Sequence, residues 1–148
     1  MIKKFEPFDP YKESASVGLK VNADELQQIF AYAAQGLLKM IFKVEDIRDC
    51  EKIKISVQGA TKEELLVNFL NEILKQINEQ EKAIALAEIT LFDPLHLKAI
   101  LSGENYNRNK HVKKGIIKRV SFQNVEIKKM APDVNEPLIW HTELIFIT

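Results

Sequence analysis

Over residues 61–77 the apolar positions fall at Leu65, Leu66, Phe69, Leu70, Ile73, Leu74 and Ile77. That spacing draws one wide apolar stripe along an α-helix. Thr61 and Glu64 form a T-x-x-E capping box, in which hydroxyl and carboxylate each satisfy an orphan backbone N–H. Lys62, Glu63, Asn68, Glu72, Lys75 and Gln76 take the opposite face, which should meet water. Such a helix needs a sheet or a second helix beneath its stripe. Upstream, residues 17–21 read as a short strand. Asn22 and Glu25 read as a second capping box, opening a helix through Leu26, Ile29, Phe30, Ala33, Ala34, Leu37, Met40 and Ile41. Gly36 inside that helix costs about 1 kcal/mol relative to alanine, so a close neighbouring element is expected there.

Elsewhere the period is two. Ile53, Ile55 and Val57 alternate with Lys52, Lys54, Ser56 and Gln58, a strand with one wet face that Gly59 ends. Ile84, Leu86, Ile89 and Leu91, then Leu95, Leu97 and Ile100, predict two strands joined around Asp93-Pro94. Residues 102–114 lack periodicity and carry Gly103, Asn105, Asn107 and Asn109, the signature of a long loop. Residues 116–127 read as a strand with a local irregularity near Lys118–Arg119, 131–137 as a hairpin loop and 138–148 as the last strand. At the start, residues 1–8 alternate like an edge strand that Pro7 and Pro10 interrupt, and residues 12–16 read as a loop. The expected fold is one α+β domain over 1–148: β-α-β-α, then an antiparallel meander, with both helices on one face of a mostly antiparallel sheet.

Composition adds bounds. At 148 residues the chain can bury the core of a single domain. A formal net charge of zero gives no global field toward nucleic acid or membrane, so only local patches can provide one. No run approaches the roughly 18 apolar residues of a membrane span, and the first ten residues have no apolar leader core, so a cytoplasmic location is expected. The single cysteine, Cys50, excludes an intrachain disulfide and a multi-cysteine zinc site, and reads as a packed or solvent-facing residue at a strand start. His96, His111 and His141 are scattered, without partners at metal-ligand spacing. No Ser–His–Asp order, buried acid pair or Gly-rich phosphate loop is present, so no enzyme class is indicated.

The strongest local charge feature is the run Arg108, Lys110, His111, Lys113, Lys114, Lys118 and Arg119. It reads as a phosphate-contacting patch for RNA or a protein–RNA complex, with Tyr106 as the nearby aromatic able to stack on a base. The zero net charge favours the other reading, a solvated loop that keeps the domain soluble. Asn71 and Glu72 sit on the polar flank of the central helix, which an exposed helix face explains. Trp140 reads as a core or rim side chain.

Three strings stand in order along the chain: Val17-Gly18-Leu19 ahead of the first helix; Glu64-Leu65-Leu66-x-x-Phe69-Leu70-Asn71-Glu72-x-Leu74; and His111 followed by Gly115-x-x-Lys118-x-Val120-Ser121-Phe122. Together they resemble the archease family, a small α+β fold of the SHS2 type. The resemblance implies an accessory protein that assists a GTP-dependent tRNA-splicing RNA ligase, promoting its guanylylation and turnover. Lys118 then falls on a family lysine, and His111, Lys113, Lys114 and Arg108 are the further partner- or RNA-contacting candidates. Archeases also carry a calcium-type site built from aspartates before the apolar-Gly pair and near the C-terminus. Counting back from Val17-Gly18, Lys12 and Ser16 stand at the first acids; Ile147 stands at the last. With an insertion, Lys4-Phe5-Glu6-x-Phe8-Asp9 matches the family opening and makes Asp9 a candidate ligand. A hard cation wants six to eight oxygens, so the expectation is a lost metal site and no cofactor. The alternative to ligase assistance is a metal-independent interaction module of the same fold with another protein partner.

Overall fold

A computed structural model describes residues 2–10 and 16–148. Of the loop expected at 12–16, only Ser16 lies within the described residues, and it opens a strand. The elements are β1 (Phe5–Phe8), β2 (Ser16–Ala23), α1 (Leu26–Ile41), β3 (Glu51–Gln58), α2 (Lys62–Asn78), β4 (Lys82–Asp93), β5 (His96–Asn105), β6 (Arg119–Val120), β7 (Lys128–Met130) and β8 (Ile139–Ile147). The α+β class with two helices and antiparallel pairing holds. The strands, however, divide into two sheets: β1-β2-β8-β6, with β7 also on β8, and β3-β5-β4.

The helices explain the division. On α2 the buried set is Leu65, Leu66, Val67, Phe69, Leu70, Ile73, Leu74 and Ile77, wider than one sheet face can cover. On α1 it runs from Ile29 to Ile41 and includes Gly36. Each helix accordingly touches both sheets: α1 meets β2 and β4, α2 meets β3 and β6. Gly36 is where α1 comes down on the first sheet. A Cβ there would stand 2.7 Å from Leu19 Cδ2 and 3.2 Å from Phe5 Cδ2, the close contact the sequence called for.

Both helix starts are capped. Of the box expected at α2 the hydroxyl half forms: Thr61 Oγ1 accepts from Glu64 N–H at 3.1 Å. At α1 the cap is Glu25 rather than Asn22: β2 continues to Ala23, and Glu25 N–H donates to Gln28 Oε1 at 3.1 Å. Asn22 is claimed by strand pairing opposite His141, and its Oδ1 lies 2.7 Å from His141 Nδ1.

Two further stretches depart from expectation. β5 extends through Asn105 because Ser102 and Gly103 pair on both sides, Gly103 opposite Glu51 and Ile84, and Glu104 and Asn105 continue the pairing with β4, so the long loop begins at Tyr106. Residues 116–127 form no continuous strand. Only Arg119–Val120 pairs with β8, and neighbouring backbone groups bond side chains of α2. Val120 N–H donates to Asn71 Oδ1 at 2.8 Å, Ile127 N–H to Glu63 Oε2 at 3.0 Å, and Asn78 Nδ2 to the Ile117 carbonyl at 2.9 Å. Asn124 turns the chain with φ 58°. Ile117, Val120 and Ile127 are buried while Phe122 is 60% exposed, so the alternation does not mark a single face. Burial pushes the Glu63 carboxyl up, but N–H donation from Ile127 and its own backbone, with Lys62 beside it, leaves it below the ordinary value.

The exposed sheet edges are blunted. Pro7 does not break β1 but lies within it, opposite Leu19, where it removes one N–H from an edge strand, and β4 carries register shifts between Ile84 and Leu86 and between Ile89 and Leu91. Cys50 is exposed just ahead of β3. Trp140 packs at the core rim with Lys129 Nζ 5.2 Å from its ring. No helix among the described residues is long and apolar enough to cross a membrane.

Candidate functional site

The segment 106–119 leaves β5 and winds on itself before reaching β6. Asn107 organises it: its Oδ1 accepts from Asn109 N–H at 2.9 Å, and its carbonyl accepts from Lys110 N–H at 3.0 Å and His111 N–H at 2.7 Å. Asn107 N–H in turn donates to His111 Nδ1 at 2.9 Å. That nitrogen therefore carries no proton. The ring proton sits on Nε2, directed at Glu104 Oε2, 2.9 Å away. His111 is 2% exposed, so its ring shapes the loop from inside and presents nothing to a partner.

Glu104 is the residue the sequence reading missed. Its Oε2 accepts from Arg48 N–H at 2.7 Å, from Lys110 Nζ at 2.7 Å and from His111 Nε2. The Arg48 backbone donor first, then Lys110 and His111, hold its carboxyl down at about 2. The available signal was a lone carboxylate at a strand end, immediately before a run of bases. Since the folded value lies below the ordinary one of 4.5, its contribution to stability is present above that value and is lost as pH falls toward 2. In urea unfolding, Glu104→Gln is expected to lower the midpoint near neutral pH. The gap to the parent should narrow as pH falls through about 4. A gap independent of pH would assign the loss to packing instead.

Tyr106 is not an open stacking platform. It is half-buried, 6.4 Å from Phe42 and 5.9 Å from His111 between ring centroids, and Lys113 Nζ covers its ring at 4.5 Å. Lys114 N–H donates to the Ile41 carbonyl, and Lys118 N–H to the Ile147 carbonyl, both at 2.7 Å. The segment is thus tied to the end of α1 and to β8. Arg108, Lys114, Lys118 and Arg119 are exposed, with no ion-pair partner among the described residues; Lys110 is committed to Glu104. An open cleft of about 920 Å³ lies at the root of the loop, lined by residues that include Cys50, Glu51, Glu104 and Arg108.

The remaining candidates lie elsewhere. In the first sheet Ser16 pairs opposite Ile147, and Ile147 opposite Arg119, so the fold brings into one row two positions that the resemblance assigns to acids. Asp9 is exposed just beyond β1, and Lys12 lies outside the described residues. Among the described residues no three His, Cys, Asp or Glu side chains gather in a metal-holding group. His96 Nε2 lies 3.0 Å from Ser56 Oγ, and His141 contacts Asn22 and Glu143, each far from the loop histidine in the topology. Asn71 acts structurally through Val120, and Glu72 pairs with Gln76 along α2 at 3.4 Å.

The sequence matches the model of the Archease protein family (MTH1598/TM1083) over residues 8–146. It is 27% identical over 129 residues to the archease of Pyrococcus abyssi, covering 85% of this chain and 90% of that one. The Thermococcus kodakarensis archease is 25% identical over 129 residues with the same coverage. The fold is similar to the solution structure of Methanobacterium thermoautotrophicum protein 1598, with TM-score 0.73 and 22% identity over 99% of this chain and 100% of that one. It is also similar to the crystal structure of an archease, possible chaperone, from Thermotoga maritima, with TM-score 0.62 and 16% identity over 95% and 97% of the two chains. At these identities the structural likeness speaks for the fold, and the family match spans nearly the whole chain. The chain belongs to the archease family.

Proposed function

We propose that this chain is a non-enzymatic, cytoplasmic accessory protein that assists a GTP-dependent tRNA-splicing RNA ligase, promoting guanylylation and turnover through contacts with the ligase or its RNA. Family membership supports this class of activity. The observation that carries it to particular residues is the segment 106–119, pinned by Glu104, Ile41 and Ile147 yet leaving Arg108, Lys114 and Lys118 exposed and unpaired. A pre-ordered backbone spends little conformational entropy when exposed cations meet an acidic or phosphate surface. Lys113, over Tyr106, and His111, beneath it, act by holding that shape. Purified protein is expected to raise turnover of the ligase from the same cell, and the variant with Lys113, Lys114 and Lys118 changed to Glu is expected to lose that effect while still folding.

A specific observation favours metal independence in this role. Among the described residues the Ser16–Ile147 row carries one hydroxyl and no side-chain carboxylate, a donor set that does not fit a hard divalent cation. A saturated site at 100 times its Kd would add about 2.7 kcal/mol of stability. Calcium or magnesium is therefore expected to leave the thermal midpoint unchanged. A saturable rise with either ion would overturn this part of the reading and return Asp9 as a ligand.

A further inference from the structure

We infer that the cleft between α2 and β6 is a binding site for a phosphate-bearing nucleotide, separate from the loop 106–114. The cleft measures about 350 Å³, and its lining includes Asn71, Arg119, Ser121, Phe122 and Gln123. That size sits at the small end of ligand sites, roughly 300–1,000 Å³, and suits one nucleotide unit.

The polar lining is made of donors. The Arg119 guanidinium is planar and permanently charged, with no ion-pair partner among the described residues. The Asn71 amide is oriented by Val120 N–H, which bonds Oδ1 at 2.8 Å and leaves both Nδ2 protons available. Ser121 Oγ accepts from Gln123 N–H at 3.2 Å, so its own hydroxyl proton is free to donate. Among the described residues no Asp or Glu lines the cleft to compete for these donors. A permanent cation with neutral donors lining the same cleft matches an anion of several acceptor oxygens, and the fork of Arg119 matches phosphate in particular. Beside it, Phe122 is 60% exposed, an apolar ring whose face is open to a nucleobase. The loop cluster lacks this combination, because Lys113 covers Tyr106.

A free nucleotide and the phosphorylated end of an RNA present the same chemistry. The site deepens the ligase-assisting reading by adding a direct RNA contact, but its test is separable. Titration calorimetry on the full chain would compare AMP, pyrophosphate, a 5′-phosphorylated single-stranded pentaribonucleotide and the same pentamer without its phosphate. AMP and the phosphorylated pentamer are expected to bind saturably, and the unphosphorylated pentamer about tenfold or more weaker. A pentamer tighter than AMP assigns the site to RNA ends, and equal affinities assign it to free nucleotide. Arg119→Glu should weaken both ligands by about tenfold or more. Phe122→Ala should weaken AMP by about fivefold or more and leave pyrophosphate unchanged. Both side chains are exposed, so thermal midpoints should stay at the parental value. Absence of saturable binding, or parental affinity in both variants, overturns the site. Nucleotide binding by a protein that fails to stimulate the ligase overturns the ligase reading alone; stimulation without nucleotide binding overturns the site alone.

Discussion

Phe69→Ala is expected to remove roughly 3–5 kcal/mol of stability, the largest single effect anticipated for this chain. Phe69 is fully buried on α2, with its ring centroid 6.5 Å from that of Phe30 on α1. Phe30 in turn lies 4.9 Å from Phe92 on β4, edge to face. The three rings join both helices to the second sheet, so truncating the first opens a void between elements that are each anchored on two sides. Neither helix can close on the void without leaving a sheet, and the cavity penalty adds to the lost transfer energy. Against a total of about 5–15 kcal/mol for a domain, the variant would be marginal at ambient temperature. Urea unfolding followed by circular dichroism measures the loss. A value below about 1 kcal/mol would place Phe69 outside the core that the two helices share.

The second large effect is expected at Gly103. It lies in β5 between β3 and β4, beside the register shift at Ile84 and Leu86. A Cβ there would run into the carbonyl oxygen of Ala83 and come within 3.1 Å of Ile84 Cα. Both obstacles are backbone, so no rotamer change relieves them; β4 itself has to move. Gly103→Ala is therefore expected to cost about 1–3 kcal/mol, and amide shifts should change along residues 82–87 as the local register yields. At Gly36 the obstacle is the methyl end of Leu19, so the same substitution there should be milder. Equal losses at the two sites, with no shift changes in β4, would contradict this account of the sheet.

The sequence made some of this legible and hid the rest for physical reasons. The α2 stripe, its Thr61 cap, the alternation in β3 and the hairpin around Asp93-Pro94 are local patterns, and each forms. The division into two sheets depends on pairings such as Ser16 with Ile147, which no local period encodes. Residues 116–127 look like a strand because their apolar residues alternate, yet Asn71 and Glu63 replace a strand as hydrogen-bond partners. Asn22 carries cap chemistry, but β8 claims it first. At the loop, the bases were visible as a run. That His111 is inside, that Lys110 is paired and that Glu104 gathers three donors emerge only once β5 is extended to Asn105. The family resemblance was carried by α2, where local pattern and fold agree, and by the segment after His111, where they do not.

Ligase turnover is the measurement that bears most directly on the central claim. The GTP-dependent RNA ligase of the same cell would be assayed for guanylylation and multiple turnover with this protein, with the variant carrying Glu at 113, 114 and 118, and with neither. Stimulation by the parent that the folded variant loses is the predicted result. A ligase indifferent to equimolar or excess parent protein would contradict the claim, leaving the chain an archease by descent and fold with a different partner.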